Sequence, residues 1–236
     1  MTNNIDKLLH LVVQTYDCDD VVKDRIFECI NENLKKDWIG KITVLDEGAG
    51  RQFPNSKKIS VIDIKSRATY SDMLALMIED GDKKFSHFAI SNSDIFLTDD
   101  IRQVLERINQ PSTVVCLSRY EIDGRICKDP KGCQDLWLFR NHDPLIRMIQ
   151  SSYCELGVAG CDHCFATVLF NYGYDMWNPS LNCRIIHNDP NPRIQFTDKD
   201  KYSCVYTYIP QCSIEDIEIS ETKYEHFNVK SPFQTQ

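Results

Sequence analysis

The chain has 236 residues, a formal net charge of −8 and a pI near 5.2, which excludes the basic surface that nucleic-acid binding needs. Hydrophobic residues at 42% and charged residues at 26% are those of a globular chain long enough to bury a sizeable core. No apolar run reaches transmembrane length and Met1–Asp6 does not resemble a signal peptide, so the expectation is a soluble, cytoplasmic protein. In chain order, His10–Tyr16 reads as a first strand, and Asp19-Asp20 caps a helix running to about Lys36 with Val22, Ile26, Cys29, Ile30 and Leu34 on one face. Lys41–Leu45 and Ser60–Ile64 read as the second and third strands. Ser71 or Asp72 caps a short helix holding Met73, Leu74, Leu76 and Met77. The segment Phe85–Leu97 carries a fourth, buried strand that ends in Asn92-Ser93-Asp94, and a helix-like stretch from Asp99 to Asn109 follows. Strands alternating with helices imply a parallel α/β sheet with helices on both faces.

Past Asn109 the character changes. Thr113–Ser118 is a strand, Leu136–Phe139 a short one after a polar loop, and Gly157–Gly160 leads into a helix from about Asp162 to Tyr172. Arg184–His187 is the last strong strand. From Asn188 onward prolines and charges dominate, and the terminal Ser231–Gln236 is expected to fray.

An acidic motif at the carboxyl end of a central strand is where a divalent cation and a diphosphate are held, because carboxylates alone would repel the diphosphate. Asn92-Ser93-Asp94 therefore points to a nucleotide-dependent enzyme. The eleven cysteines, scattered from Cys18 to Cys212 with no secretory signal, read as reduced thiols. A structural zinc site built from Cys161-Asp162-His163-Cys164 with Cys127 and Cys133 is the alternative, weakened by the lack of a second CxxC.

Six segments in this order carry a resemblance: Arg67–Asp72, Ser91–Phe96, Ser118-Arg119-Tyr120, Gln134–Phe139, Gly157–Asp162 and Asn178–Leu181. With them the chain, from about His10 to His187, resembles GT-A-type glycosyltransferases. It is similar to the compact, metal-dependent domains of this type in large DNA viruses, algae and bacteria. The resemblance implies a single-domain α/β fold: a Rossmann-like, mixed but mostly parallel central sheet flanked by helices. A catalytic domain would cover about 1–200, with a nucleotide-sugar half at about 10–110 and an acceptor half at about 111–200, before a C-terminal extension at about 201–236.

The same resemblance implies site residues. Asn92-Ser93-Asp94 stands in the place of the DXD motif, so Asp94, with the Asn92 amide, would ligate Mn²⁺ or Mg²⁺ bridging the donor's diphosphate. Capping of the following turn is the other role open to Asp94. Asp162, where many inverting members carry the second residue of an acidic pair, would be the base that deprotonates the acceptor hydroxyl; N-capping could coexist with that. His187 would be a further metal ligand or a hydrogen-bonded strand-end residue. Gln14, Thr15 and Tyr16 would cradle base and ribose, as would Glu47, and Arg67 and Tyr70 would stack on the base or meet phosphate, unless they are an ion pair and a packed aromatic. Gln134, Asp135 and Trp137 resemble the stretch that lines the sugar pocket, with core packing the competing role for Trp137.

The implied function is inverting transfer of a sugar from a UDP-sugar donor to a glycan, glycoconjugate or other hydroxyl acceptor, in the host cytoplasm for a viral member. Two alternatives stand beside it: a non-catalytic carbohydrate-binding or scaffold protein on a transferase fold, and a sugar-nucleotide pyrophosphorylase. The latter needs a Gly-rich, basic loop after the first strand, and Gln14–Asp20 contains neither Gly nor Lys.

Overall fold

A computed structural model describes residues 9–50, 52–79, 85–108, 110, 112–141, 154–190, 202, 206–217 and 225–227. Strand β1 (Leu9–Tyr16) leads into α1 (Asp20–Leu34), then β2 (Ile39–Glu47), β3 (Ile59–Asp63), α2 (Tyr70–Glu79) and β4 (His87–Ser91). The second half holds β5 (Ile95–Leu97), α3 (Ile101–Arg107), β6 (Thr113–Leu117), β7 (Tyr120–Glu121), β8 (Leu136–Arg140) and α4 (Cys161–Asn171). β9 (Asp175–Trp177), β10 (Ile185–His187), β11 (Tyr206–Tyr208), a 3-10 turn at Ile214–Asp216 and β12 (Glu225–Phe227) follow.

Seven strands form the central sheet in the order β3-β2-β1-β4-β8-β6-β9. All its pairings are parallel except those of β8, which runs antiparallel between β4 and β6. The inner strands are apolar at nearly every position because helices cover both faces. Leu9, Leu11 and Val13 of β1 point into one core with Ile26 and Ile30 of α1 and Ile101, Val104 and Leu105 of α3. Val12 points into the other, with Met73, Leu74 and Met77 of α2 and Phe165, Ala166 and Leu169 of α4. The period-2 alternation of one strand thus feeds two layers of helices.

The fourth strand, β4, ends at Ser91, so it stops at Asn92-Ser93-Asp94 as expected; the apolar Ile95–Leu97 beyond the turn forms a further strand, β5, which leaves the main sheet for a second, three-stranded sheet ordered β5-β10-β7. The Asn92 amide still donates to the Asp135 carbonyl at 3.1 Å, one position beyond the last β4–β8 pair, Ser91 with Leu136, and the chain turns after it. Two expectations change. α2 begins at Tyr70, not after Ser71: Thr69 Oγ1 accepts the Asp72 amide at 3.2 Å, and Asp72 accepts the Thr69 amide at 2.8 Å, a reciprocal cap that starts the helix ahead of Ser71. β10 is not the last strand, since Tyr206–Tyr208 and Glu225–Phe227 pair antiparallel, and Ile209, Ile214 and Ile217 are buried in the two cores. Asp19 caps α1 as expected, accepting the Val22 amide at 2.9 Å. Asn109 and the terminal Ser231–Gln236 lie outside the described residues. No helix among the described residues is long and apolar enough to cross a membrane.

Candidate active site at the carboxyl edge of the sheet

Parallel pairing puts the carboxyl ends of β1, β2 and β4 on one edge. The register sets Gln14 beside Leu45 and Tyr16 beside Glu47, and Val13 beside Ser91. There Gln14 Nε2 donates to Glu47 at 2.9 Å, while its Oε1 accepts the Ala68 amide at 3.1 Å. Glu47 also lies 3.6 Å from Arg67 Nε, and the Arg67 guanidinium stands over the Tyr16 ring at 5.4 Å. Gln14, Tyr16, Glu47 and Arg67 therefore form one cluster, with a partly exposed cation resting on an aromatic face. Thr15 is buried and donates to Asp46 at 2.7 Å, and that carboxylate also accepts the Ala49 amide at 2.9 Å.

Beyond β4 the turn hands the chain to the small sheet. Asp94 precedes β5, and His187 ends β10, whose antiparallel register on β5 places His187 beside Ile95. The His187 Nε2 and Asp94 Oδ2 atoms are 3.1 Å apart, and the other ring nitrogen, Nδ1, lies 2.8 Å from Glu121 on β7. The imidazole is only 2% exposed, whereas the Asp94 side chain is 27% exposed and open to the edge. Asn33 of α1 holds β5 in place: its Nδ2 donates to the Ile95 carbonyl and its Oδ1 accepts the Leu97 amide, both at 2.9 Å.

A hard divalent ion fits this donor pair. A nitrogen and a carboxylate oxygen face one another, with a second carboxylate holding the far side of the imidazole, which is how His ligands are oriented at metal centres. No group of three or more His, Cys, Asp or Glu side chains that could hold a metal ion occurs among the described residues, so such an ion would take its remaining ligands from substrate oxygens and water.

Asp135 sits deeper, and Asn92 reaches down to it. Asn92 Nδ2 donates to Asp135, and Arg119 Nη1 donates to the same carboxylate at 2.9 Å. Arg119 and Asp135 are both buried. Burial works against the Arg119 charge, but Asp135, Cys133 and Glu121 outweigh it and hold the guanidinium more firmly protonated. Ser93 is buried within the turn. Gln134 is buried, with Nε2 on the carbonyls of Pro130 and Lys131 at 3.3 and 3.0 Å. Trp137 lies in the core, edge-on to both Phe165 at 4.9 Å and Tyr70 at 6.3 Å.

Tyr70 lies away from the Arg67 cluster. It stacks on Phe165 with centroids 4.0 Å apart and planes within 5°, and its hydroxyl donates to Asp162 Oδ1 at 2.9 Å. Such aromatic pairs contribute about 0.5–1.5 kcal/mol beyond their buried area. Burial, reinforced by the Asp162 carboxylate, pushes the phenol well above its ordinary range, so it remains a donor. Asp162 sits in the first turn of α4, where the helix dipole favours a carboxylate. The cap itself is Gly160, at φ 83°, a left-handed conformation that favours glycine. Gly157, at φ 76°, brings the loop against Arg67: a Cβ there would lie 3.7 Å from Nη1. The loop before α4 thus joins the Arg67 cluster to Asp162.

Among the described residues nine cysteines are free thiols, but Cys164 is disulfide-bonded, which corrects the expectation that all are reduced. Its place in α4, which packs against β11, opens contacts across the chain that CxxC spacing does not reveal. Residues 67–70, 92–94, 162 and 187 were singled out in the sequence; Asn33, Arg119 and Glu121 were not given roles. Asn33 had a signal, a polar side chain one turn after Cys29 and Ile30 on the buried face of α1.

No protein-family model and no curated protein matches the chain. Solved structures do resemble it. S. aureus TarS 1–349 in complex with UDP-GlcNAc aligns with a TM-score of 0.56 at 12% identity, over 84% of this chain and 62% of that one. GalNAc-T7 with UDP, GalNAc and Mn²⁺ aligns with a TM-score of 0.51 at 8% identity, over 76% of this chain and 43% of that one. Francisella tularensis 2-C-methyl-D-erythritol 4-phosphate cytidylyltransferase (IspD) gives a TM-score of 0.51 at 12% identity, over 82% and 96%. The chain spans less than two thirds of the TarS and GalNAc-T7 chains and nearly the whole of the cytidylyltransferase. What they share with this chain is the fold, a GT-A-type, Rossmann-like α/β architecture, built here around a mostly parallel seven-stranded sheet.

Proposed function

We propose that the protein is an inverting, metal-dependent glycosyltransferase using a UDP-sugar donor and a glycan or glycoconjugate hydroxyl as acceptor. The observation that carries this reading is the Asp94–His187 pair, 3.1 Å apart beside the nucleotide-end cluster. It is supported by fold neighbours solved with UDP-GlcNAc and with UDP, GalNAc and Mn²⁺. Arg67 and Tyr16 would meet the base and ribose, with Gln14 and Glu47 fixing them from behind. Asp94 and His187 would hold Mn²⁺ or Mg²⁺, which supplies Lewis-acid neutralisation of the leaving diphosphate. Asp162 would take the proton of the acceptor hydroxyl as its oxygen attacks the anomeric carbon opposite the diphosphate. Asn92, Ser93, Gln134 and Asp135 would shape the floor beneath the sugar, and Trp137 would back it from the core. We also assign about 1–200 to the catalytic domain and about 201–236 to a C-terminal extension, of which β11 packs on α4.

Nucleotidyl transfer is the second reading, favoured by the 96% coverage of the cytidylyltransferase chain. Against it, the turn from β1 to α1, Asp17-Cys18-Asp19, has neither Gly nor Lys where a triphosphate would be bound, and Lys23 of α1 is held by Asp17 at 2.7 Å. Calorimetric titration of UDP with Mn²⁺ and with EDTA, on wild type and Asp94→Ala, separates the readings. Metal-dependent UDP binding that collapses in the variant is expected; metal-dependent CTP binding with no UDP binding would overturn the transferase reading.

A further inference from the structure

We infer that Glu121 is a positioning residue of the ion site, fixing the orientation and tautomer of His187, and that Arg119 braces it. This rests on the reading of Asp94 and His187 as metal ligands. Glu121 stands in a two-residue strand whose parallel register on β10 sets it directly beside His187. Its two carboxylate oxygens are divided: Oε2 lies 2.8 Å from His187 Nδ1, and Oε1 accepts from Arg119 Nε at 3.0 Å. With Nδ1–H directed at Glu121, the ring presents Nε2 to Asp94, the nitrogen that must carry a lone pair to bind an ion.

Arg119 extends the same arrangement. Its Nε serves Glu121 while Nη1 serves Asp135, and Asp135 accepts from Asn92. A line of hydrogen bonds therefore runs from Asn92 through Asp135, Arg119 and Glu121 to His187, whose Nε2 stands 3.1 Å from Asp94 at the other end of the Asn92–Asp94 turn. The guanidinium is 7% exposed at the side chain, and its planar fork can meet two carboxylates in fixed directions, which a lysine could not do. The amide at Asn92, where the resemblance leads one to expect a carboxylate, acts in this line as a donor.

The test is Mn²⁺ binding in the presence of UDP, followed by electron paramagnetic resonance, on wild type, Glu121→Met and Glu121→Gln. The pulsed experiment also reads nitrogen-14 modulation from a coordinated imidazole, which a merely structural residue would not move. Glu121→Met keeps length and removes the acceptor; it should weaken Mn²⁺ about 100-fold and abolish the modulation. Glu121→Gln keeps an acceptor oxygen without the charge; it should lose about 10-fold and retain the modulation. Should the Met variant fail to fold, the Gln variant decides. Binding within twofold of wild type in either folded variant overturns the role of Glu121 alone. A wild-type protein that binds no Mn²⁺ with UDP overturns the inference together with the function on which it rests, and the blank wild type distinguishes that case.

Discussion

Tyr70→Phe removes one oxygen atom and leaves the ring on Phe165 in its 4.0 Å stack. What is lost is the 2.9 Å hydrogen bond to Asp162. Bonds to ionised groups contribute about 1.5–3 kcal/mol, and the partial exposure of Asp162 places this one at about 1.5 kcal/mol. For a chain of this size the loss corresponds to a Tm lower by about 3–6 °C. The bond favours the ionised base over its protonated form, so without it the acid limb of the pH–rate profile moves to higher pH. The assay is kcat/KM for sugar transfer across pH, with calorimetric unfolding alongside. Asp162→Asn, which cannot take a proton, is the reference and should lower kcat about 100- to 10,000-fold; adding Tyr70→Phe to it should produce no further change. An acid limb that coincides with the wild type while Tm falls would refute the assignment of Asp162 as the titrating base.

Two further outcomes are expected. Arg67→Lys keeps the charge but loses the planar contact over Tyr16, so UDP affinity measured by calorimetry should fall about 2- to 30-fold, and an unchanged affinity would remove Arg67 from the donor site. Burial lowers the His87 imidazole below its ordinary 6.5, and in its neutral form the ring is satisfied by Ser86 at 2.9 Å and the Ile108 carbonyl at 3.2 Å. The unfolded chain therefore takes the proton first: His87 costs nothing above pH 6.5, and stability is lost as pH falls below it through the folded value. Urea midpoints of wild type should fall along that limb, whereas those of His87→Gln should be flatter; parallel curves would contradict the assignment.

The layered fold was legible because its signals are local. The apolar runs of β1, β2 and β4 and the Asp19 cap each need only a few consecutive residues. The end of β4 at Asn92-Ser93-Asp94 was legible too, but the separate strand Ile95–Leu97 was not, because only its partner, β10, reveals that it belongs to another sheet. β11 was hidden by its setting: Tyr206-Thr207-Tyr208 alternates as a strand should, but in a stretch otherwise rich in proline and charge. The cluster at Gln14, Tyr16, Glu47 and Arg67 followed from strand ends, which a sequence displays. Tyr70 was legible as an aromatic near the site, but its hydroxyl partner lies 92 residues away. Glu121 gave no signal, since its importance comes entirely from a histidine 66 residues later.

The small sheet also bears on how the molecule assembles. Asp94 and His187 are 93 residues apart in sequence, and they meet only through the pairing of β5 with β10. Closing so long a loop is slow and entropically costly, so such non-local pairings form after the local β-α units. On the proposed reading, an ion site at Asp94 and His187 exists only once β5 and β10 have paired. A nascent or truncated form that has built β1 to β4 would carry the cluster of Gln14, Tyr16, Glu47 and Arg67 without that pair, so ion binding would report the docking of β10.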